Sequence, residues 1–135
     1  MNKILFWILS WTWGVVMTLV GALVFLALRL LGYKHKQNRY GYYIEIGEGW
    51  GGAGMGPYCI CSKNSSSRIL SHEFGHGIQN CYFGPFQILI SIASGIRYQY
   101  RNYLVRAKGK KHSELPEYDS AWYEGMATRL GEKYK

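Results

Sequence analysis

Residues 66–81, SSRILSHEFGHGIQNC, decide how this chain is read. Asn64, Ser65, Ser66 and Ser67 are residue types whose side-chain oxygens cap helix N-termini, and Ile69, Leu70, Phe74 and Ile78 follow at helical spacing. The pattern predicts a helix over about 66–81. Inside it, His72-Glu73-Phe74-Gly75-His76 is HExxH. At roughly 100° per residue, positions four apart lie within about 40° of each other on one face, one turn apart. Two imidazoles so placed can share one Zn²⁺ at about 2.0–2.1 Å each, and Glu73 beside them can take a proton from a water that the ion acidifies. The pattern arises often by chance, and its context strengthens it: the chemistry requires it in the middle of a capped, amphipathic helix. Read as ordinary core or surface histidines, His72 and His76 leave Gly75 without a purpose.

A third ligand has to come from downstream, where His112, Glu114, Glu117, Asp119 and Glu124 are the candidates. Glu124 alone lies well inside the predicted final helix, which runs through Ala121, Trp122, Met126 and Leu130. Gly125 and Ala127 beside it would let two helices approach closely. Asp119 or Ser120 reads as the N-cap of that helix, and His112 sits in a basic loop where solvation is the ordinary state. Two His and one Glu, with water in the fourth position, is a catalytic zinc arrangement rather than a closed structural one.

These marks together resemble a known group. HEFGH followed by Trp122-Tyr123-Glu124-Gly125-Met126-Ala127-Thr128 is similar to the gluzincin metallopeptidases, particularly the very small minigluzincins. His72 to His76, Gln79, Gly84-Pro85, and Glu124 with Ala127 also resemble a set of uncharacterised bacterial and mobile-element membrane proteins. The resemblance spans Gly49 to Gly131. It implies a zinc peptidase in which His72, His76 and Glu124 hold the metal and Glu73 acts as general base and then general acid. It also implies that the strand before the HExxH helix pairs with an extended substrate, a part open to Tyr43–Ile46 or Tyr58–Cys61. In that family an Asp or Asn four residues after the glutamate ligand often orients a histidine; here Thr128 occupies the position. Tyr118, Tyr123 and His112 are all candidates for the oxyanion-stabilising group.

Upstream, Tyr40 to Ile46 is rich in aromatic and β-branched residues and reads as a strand. Glycines at 47, 49, 51, 52, 54 and 56 then punctuate a loop or bulged edge before a second short strand, Tyr58 to Cys61, that could pair back. No GK[ST] follows and the G-x-G-x-x-G context is not met, so a glycine-rich hairpin is expected rather than a phosphate loop. Cys59 and Cys61 read as buried thiols, since alternate residues on one strand rarely bridge. After the HExxH helix, Gly84-Pro85 breaks the chain, and Phe86–Ile96 is an uncharged stretch of about 11 residues. That is short for a bilayer and suited to a core helix.

The N-terminal end differs in kind. Ile4 to Leu28 holds no charged residue, and as one helix at roughly 1.5 Å per residue it would reach about 37 Å, enough to cross a hydrocarbon core of about 30 Å. It is too long for a signal-peptide core and lacks a small-x-small cleavage site. Trp7, Trp11 and Trp13 suit an interface. Lys3 alone precedes the segment, whereas Arg29, Lys34, Lys36 and Arg39 follow it, which places the C-terminal part in the cytoplasm.

The whole chain has 135 residues, 16 Lys plus Arg, 8 Asp plus Glu and a mean hydropathy of −0.14, averages that blend this segment with a polar remainder of about 104 residues. Aromatics at 16% exclude disorder, and three cysteines exclude a disulfide framework. The cations from Arg97 to Lys111 fit anionic headgroups better than nucleic acid.

The expectation is α+β: a transmembrane helix in 1–33, then a zincin-like catalytic domain in 34–135. That domain would hold a short β hairpin, the HExxH helix, a long apolar helix and a glutamate-bearing C-terminal helix. The function expected is a single-pass, membrane-anchored zinc metalloprotease acting on peptides or proteins. The alternative is a non-catalytic membrane protein whose zinc is structural, the metal stapling a small core.

Overall fold

A computed structural model describes residues 1–134. The described residues form a mixed α+β fold of five helices and one four-stranded sheet, with three short 3₁₀ turns. In chain order these are α1 (Lys3–Trp11), α2 (Val15–Leu30), β1 (His35–Asn38), β2 (Gly41–Glu45), β3 (Gly52–Met55), β4 (Tyr58–Cys61), α3 (Ser67–Phe83), α4 (Gln87–Arg106) and α5 (Trp122–Lys133).

The HExxH helix forms where the sequence predicts it. Ser66 is its N-cap, the hydroxyl accepting from the Ile69 amide at 3.3 Å, and Gly84 at φ 58° ends it. Phe74, Ile78 and Cys81 of α3 meet Leu130 of α5 and Phe6 of α1 in the core, with Tyr40 and Met126 against it. α3 and α5 cross almost backbone to backbone. A Cβ on Gly75 would lie 1.7 Å from the Ala127 carbonyl oxygen, and one on Gly131 would lie 2.1 Å from that of Ser71. Gly75 therefore has a structural purpose, and Gly131, not Gly125, completes the crossing; Gly125 faces the Asp119 carbonyl instead.

The sheet departs from the expected hairpin. Its order is β1-β2-β4-β3, with β2 and β4 parallel (Tyr42 opposite Tyr58) and β3 antiparallel to β4 (Gly54 opposite Cys59). The glycine run thus supplies a strand of its own, β3, which turns back into β4 at Gly56-Pro57, with Gly56 at φ 67°. Sequence periodicity cannot see β3 because its small residues answer to packing. A Cβ on Gly54 would sit 2.8 Å from the Glu73 carbonyl oxygen and 3.0 Å from His76 Cβ. Consequently β2 and β4 are interior strands and β1 and β3 are the edges, β3 the one beside the HExxH helix, so neither Tyr43–Ile46 nor Tyr58–Cys61 offers a free edge to a substrate.

The uncharged N-terminal segment is two helices, bent by 95° between α1 and α2, and no single described helix is long and apolar enough to cross a membrane. The break has local and tertiary causes. Thr12 Oγ1 donates to the Ile8 carbonyl at 2.6 Å, and the Gly14 amide reaches back five residues to Leu9. From α3, Asn80 Nδ2 donates to the Gly14 carbonyl at 3.1 Å, at a point where any Cβ on Gly14 would collide with it. The apolar helix after Pro85 is also longer than expected. α4 continues through Arg106 because Arg97 and Arg101 are held: both guanidinium groups cover the Tyr118 ring, at 5.1 and 5.5 Å, and Arg97 donates to the Tyr118 carbonyl at 2.7 Å.

Candidate metal centre

The close crossing of α3 and α5 brings the predicted ligands together. Donor atoms of His72, His76 and Glu124 all lie within 4.8 Å of one another, the one such group of His, Cys, Asp or Glu among the described residues. His72 Nε2 is 3.2 Å from Glu124 Oε2, and His76 Nε2 is 3.6 Å from Glu124 Oε1. Ligands about 2.0–2.1 Å from one tetrahedral ion stand about 3.3 Å apart, so this donor set fits a metal. Glu124 is fully buried, and Ser94 Oγ of α4 donates to its Oε1 at 2.7 Å. Burial opposes its ionisation, but with the imidazoles protonated His72, His76 and Ser94 outweigh that and hold the carboxyl at about 2.

Each imidazole has its other nitrogen engaged. His76 Nδ1–H donates to Gln79 Oε1 at 2.9 Å; that amide is fixed by Gln87 Nε2 donating to the same oxygen and by Gln79 Nε2 donating to the Tyr123 carbonyl. His72 Nδ1–H donates to Thr128 Oγ1 at 2.8 Å, and Thr128 donates onward to Asp119 Oδ2 at 2.8 Å. Both Nε2 lone pairs therefore face Glu124, the arrangement a metal needs. This corrects the sequence reading of Asp119: Ala121 stands at the N-cap of α5 with no side-chain cap, because a 3₁₀ turn over Tyr118–Ser120 intervenes and aims Asp119 at Thr128.

Glu73 lies against β3, nine-tenths buried, with the Gly54 amide donating to it. Burial, abetted by Glu124 and opposed by His76, pushes its carboxyl up to about 7. A cavity of about 290 Å³ on the His76 side and one of about 460 Å³ on the His72 side share Gly52, Glu73, Tyr98 and Tyr118, so His72, His76 and Glu73 look onto a groove bounded by the β3 edge, with Glu124 buried behind them.

Of the three oxyanion candidates, Tyr118 lines both cavities, and burial and Glu124 push its phenol well above the usual range. Tyr123 packs against Trp122 at 5.5 Å and lines neither, while His112 is exposed in its loop. Glu114 and Glu117 are exposed as well. Sequence reasoning missed Tyr98, Ser94 and the β3 glycines. Their one signal, the density of small residues at 51–56 and 91–95, is shared by ordinary loops and helices. Cys59 and Cys61 are free and buried, as expected, and so is Cys81.

No known family, characterised protein or solved structure matches the chain.

Proposed function

We propose that the protein is a zinc peptidase held at a membrane by its uncharged N-terminal segment. The observation that carries this reading is the buried three-donor cluster with a fourth, non-ligating carboxyl, Glu73, beside it in an open groove. A structural staple needs the first three groups and has no use for Glu73 or the groove.

His72, His76 and Glu124 would hold the ion, whose chemistry when bound is to acidify a water and polarise a carbonyl. Glu73, raised toward neutrality, takes the proton of the attacking water and returns it to the leaving amine. Tyr118 lines both cavities, its hydroxyl hydrogen-bonded with Ser94 and Glu124 beside the cluster, and would supply a neutral donor for the developing oxyanion. β3 carries an unpaired edge beside Glu73, to which an extended peptide adds as a further strand. The glycines at 52 and 54 keep that edge close to the carboxyl.

The test is metal content measured together with turnover of a peptide library. Stoichiometric zinc with cleavage that the Glu73→Gln variant lacks supports the reading. Protein without stoichiometric zinc, or a variant as active as wild type, overturns it. A domain that unfolds on chelation and never cleaves would instead be the structural-zinc alternative.

A further inference from the structure

We infer that the protein sits in one face of an anionic bilayer without crossing it, on an apolar seat made by the bent α1–α2 pair and the outer stripe of α4. The inference deepens the membrane part of the reading above and is independent of its chemistry.

Length argues first. α1 has 9 residues and α2 has 16, so at 1.5 Å per residue they reach about 13 and 24 Å, each short of a hydrocarbon core of about 30 Å. The bend cannot be straightened without loss. Phe6 of α1 is wholly buried against Phe74 and Ile78, and Trp7 Nε1 donates to the Tyr40 carbonyl at 2.8 Å. On the other arm, Gly21 lies where a Cβ would be 2.4 Å from the Met55 carbonyl. Asn80 holds the start of α2, donating to the Gly14 carbonyl at its N-cap and to Thr18 Oγ1 at 3.4 Å. Both arms are fastened to the body that carries the metal site, and the polar backbone at the bend is satisfied, as irregular backbone at membrane depth must be.

The outward faces argue second. On α2, Leu19, Leu23 and Leu26 are 48–65% exposed; on α4, Phe86, Leu89, Ile92, Ile96, Tyr100 and Tyr103 are 51–66% exposed and recur every three or four residues along one stripe. Neither helix contains an acid. Both end in cations, Arg29 in the last turn of α2 and Lys34 after it, and Arg106 at the end of α4 with Lys108, Lys110 and Lys111 after it, with Tyr100 and Tyr103 next to the latter. Apolar stripes that terminate in aromatics and then in Lys and Arg match the depth profile of an anionic leaflet rather than a second protein surface. Met17 of α2 and Ser91, Ser94 and Gly95 of α4 line the cavity on the His76 side, so the groove lies between the two seated helices. Its substrate class is then a peptide segment at, or emerging from, the membrane surface.

The experiment places single cysteines at exposed positions, Lys3→Cys or Lys110→Cys, and labels sealed membrane vesicles with an impermeant maleimide; the native thiols are buried. Both positions are expected on the same side. Labelling on opposite sides overturns the inference. Spin labels at Leu23→Cys and Ile96→Cys, in vesicles of phosphatidylcholine and phosphatidylglycerol, are expected to be open to oxygen and shielded from an aqueous nickel chelate. A label at 96 that is open to nickel, or one shielded equally without vesicles because a second copy covers it, overturns the inference. Neither measurement reads turnover, so a wild-type chain inactive on peptides fails the proposed chemistry and leaves this result untouched.

Discussion

His72 reaches a carboxylate through a hydroxyl. The path from Nδ1 to Thr128 Oγ1 to Asp119 Oδ2 runs in one donor direction, which fixes the ring and the tautomer that leaves Nε2 free. Thr128 therefore does, with help, what a carboxylate or amide at that position would do directly. Replacing Thr128 with Val, or Asp119 with Asn, is expected to weaken metal binding about 10–100-fold, measured by competition with a chromogenic chelator. Glu73 makes the opposite prediction: Glu73→Gln keeps its metal, by elemental analysis, while peptide cleavage falls by about 10²–10⁴-fold. At this scale HExxH was legible because helical geometry sets its spacing, and Glu124 because it alone of the downstream candidates lies well inside a predicted helix; that they meet rests on the α3–α5 crossing. Asp119 was misread because a local capping rule was applied where a 3₁₀ turn, held by Arg97 at the Tyr118 and Glu117 carbonyls, redirects the side chain.

Among the elements, glycine sets the distances. Gly75 lets α3 approach α5 until His72, His76 and Glu124 converge, and Gly54 lets β3 lie on Glu73. Gly75→Ala would press a methyl into the Ala127 carbonyl, which is backbone and cannot swing aside. A loss of about 1–3 kcal/mol or more is expected, read by urea denaturation, with reduced metal content. Asn80→Leu removes the donor that satisfies the Gly14 carbonyl at the α1–α2 break; about 1–3 kcal/mol should be lost in the same assay. The α1–α2 break itself was not legible. No proline marks it, and residues 4–28 satisfy the rules for one long apolar helix, so the decision belongs to Asn80, some 66 positions away.

For the molecule as a whole, the metal would bind two helices across one crossing, and Glu124 is fully buried there with no access to water. Anything that binds the folded state alone raises its stability, by about 4 kcal/mol at a thousandfold excess of free metal over Kd. Scanning calorimetry is expected to show a lower Tm after chelation and recovery on adding zinc, with a concentration dependence that a non-binding protein would lack. The positive charge, read along the chain as one basic patch from Arg97 to Lys111, divides in three dimensions. Arg97 and Arg101 turn inward onto Tyr118 and the carbonyls of 116–118, which leaves Arg106 to Lys111 facing solvent.

The amino-acid sequence by itself determined the helix that bears HExxH and the uncharged character of the N-terminal segment, and singled out Glu124 as the best candidate third ligand. Each depends on periodicity or composition within a few turns, where geometry is nearly independent of context. Tertiary structure alone decided that the glycine run pairs as a strand antiparallel to β4 and leaves β2 and β4 parallel, that the N-terminal segment bends and packs on the HExxH helix, and that Asp119 serves His72. Those outcomes depend on contacts between residues distant in sequence, chiefly close approaches that only glycine permits and buried carbonyls that needed a donor.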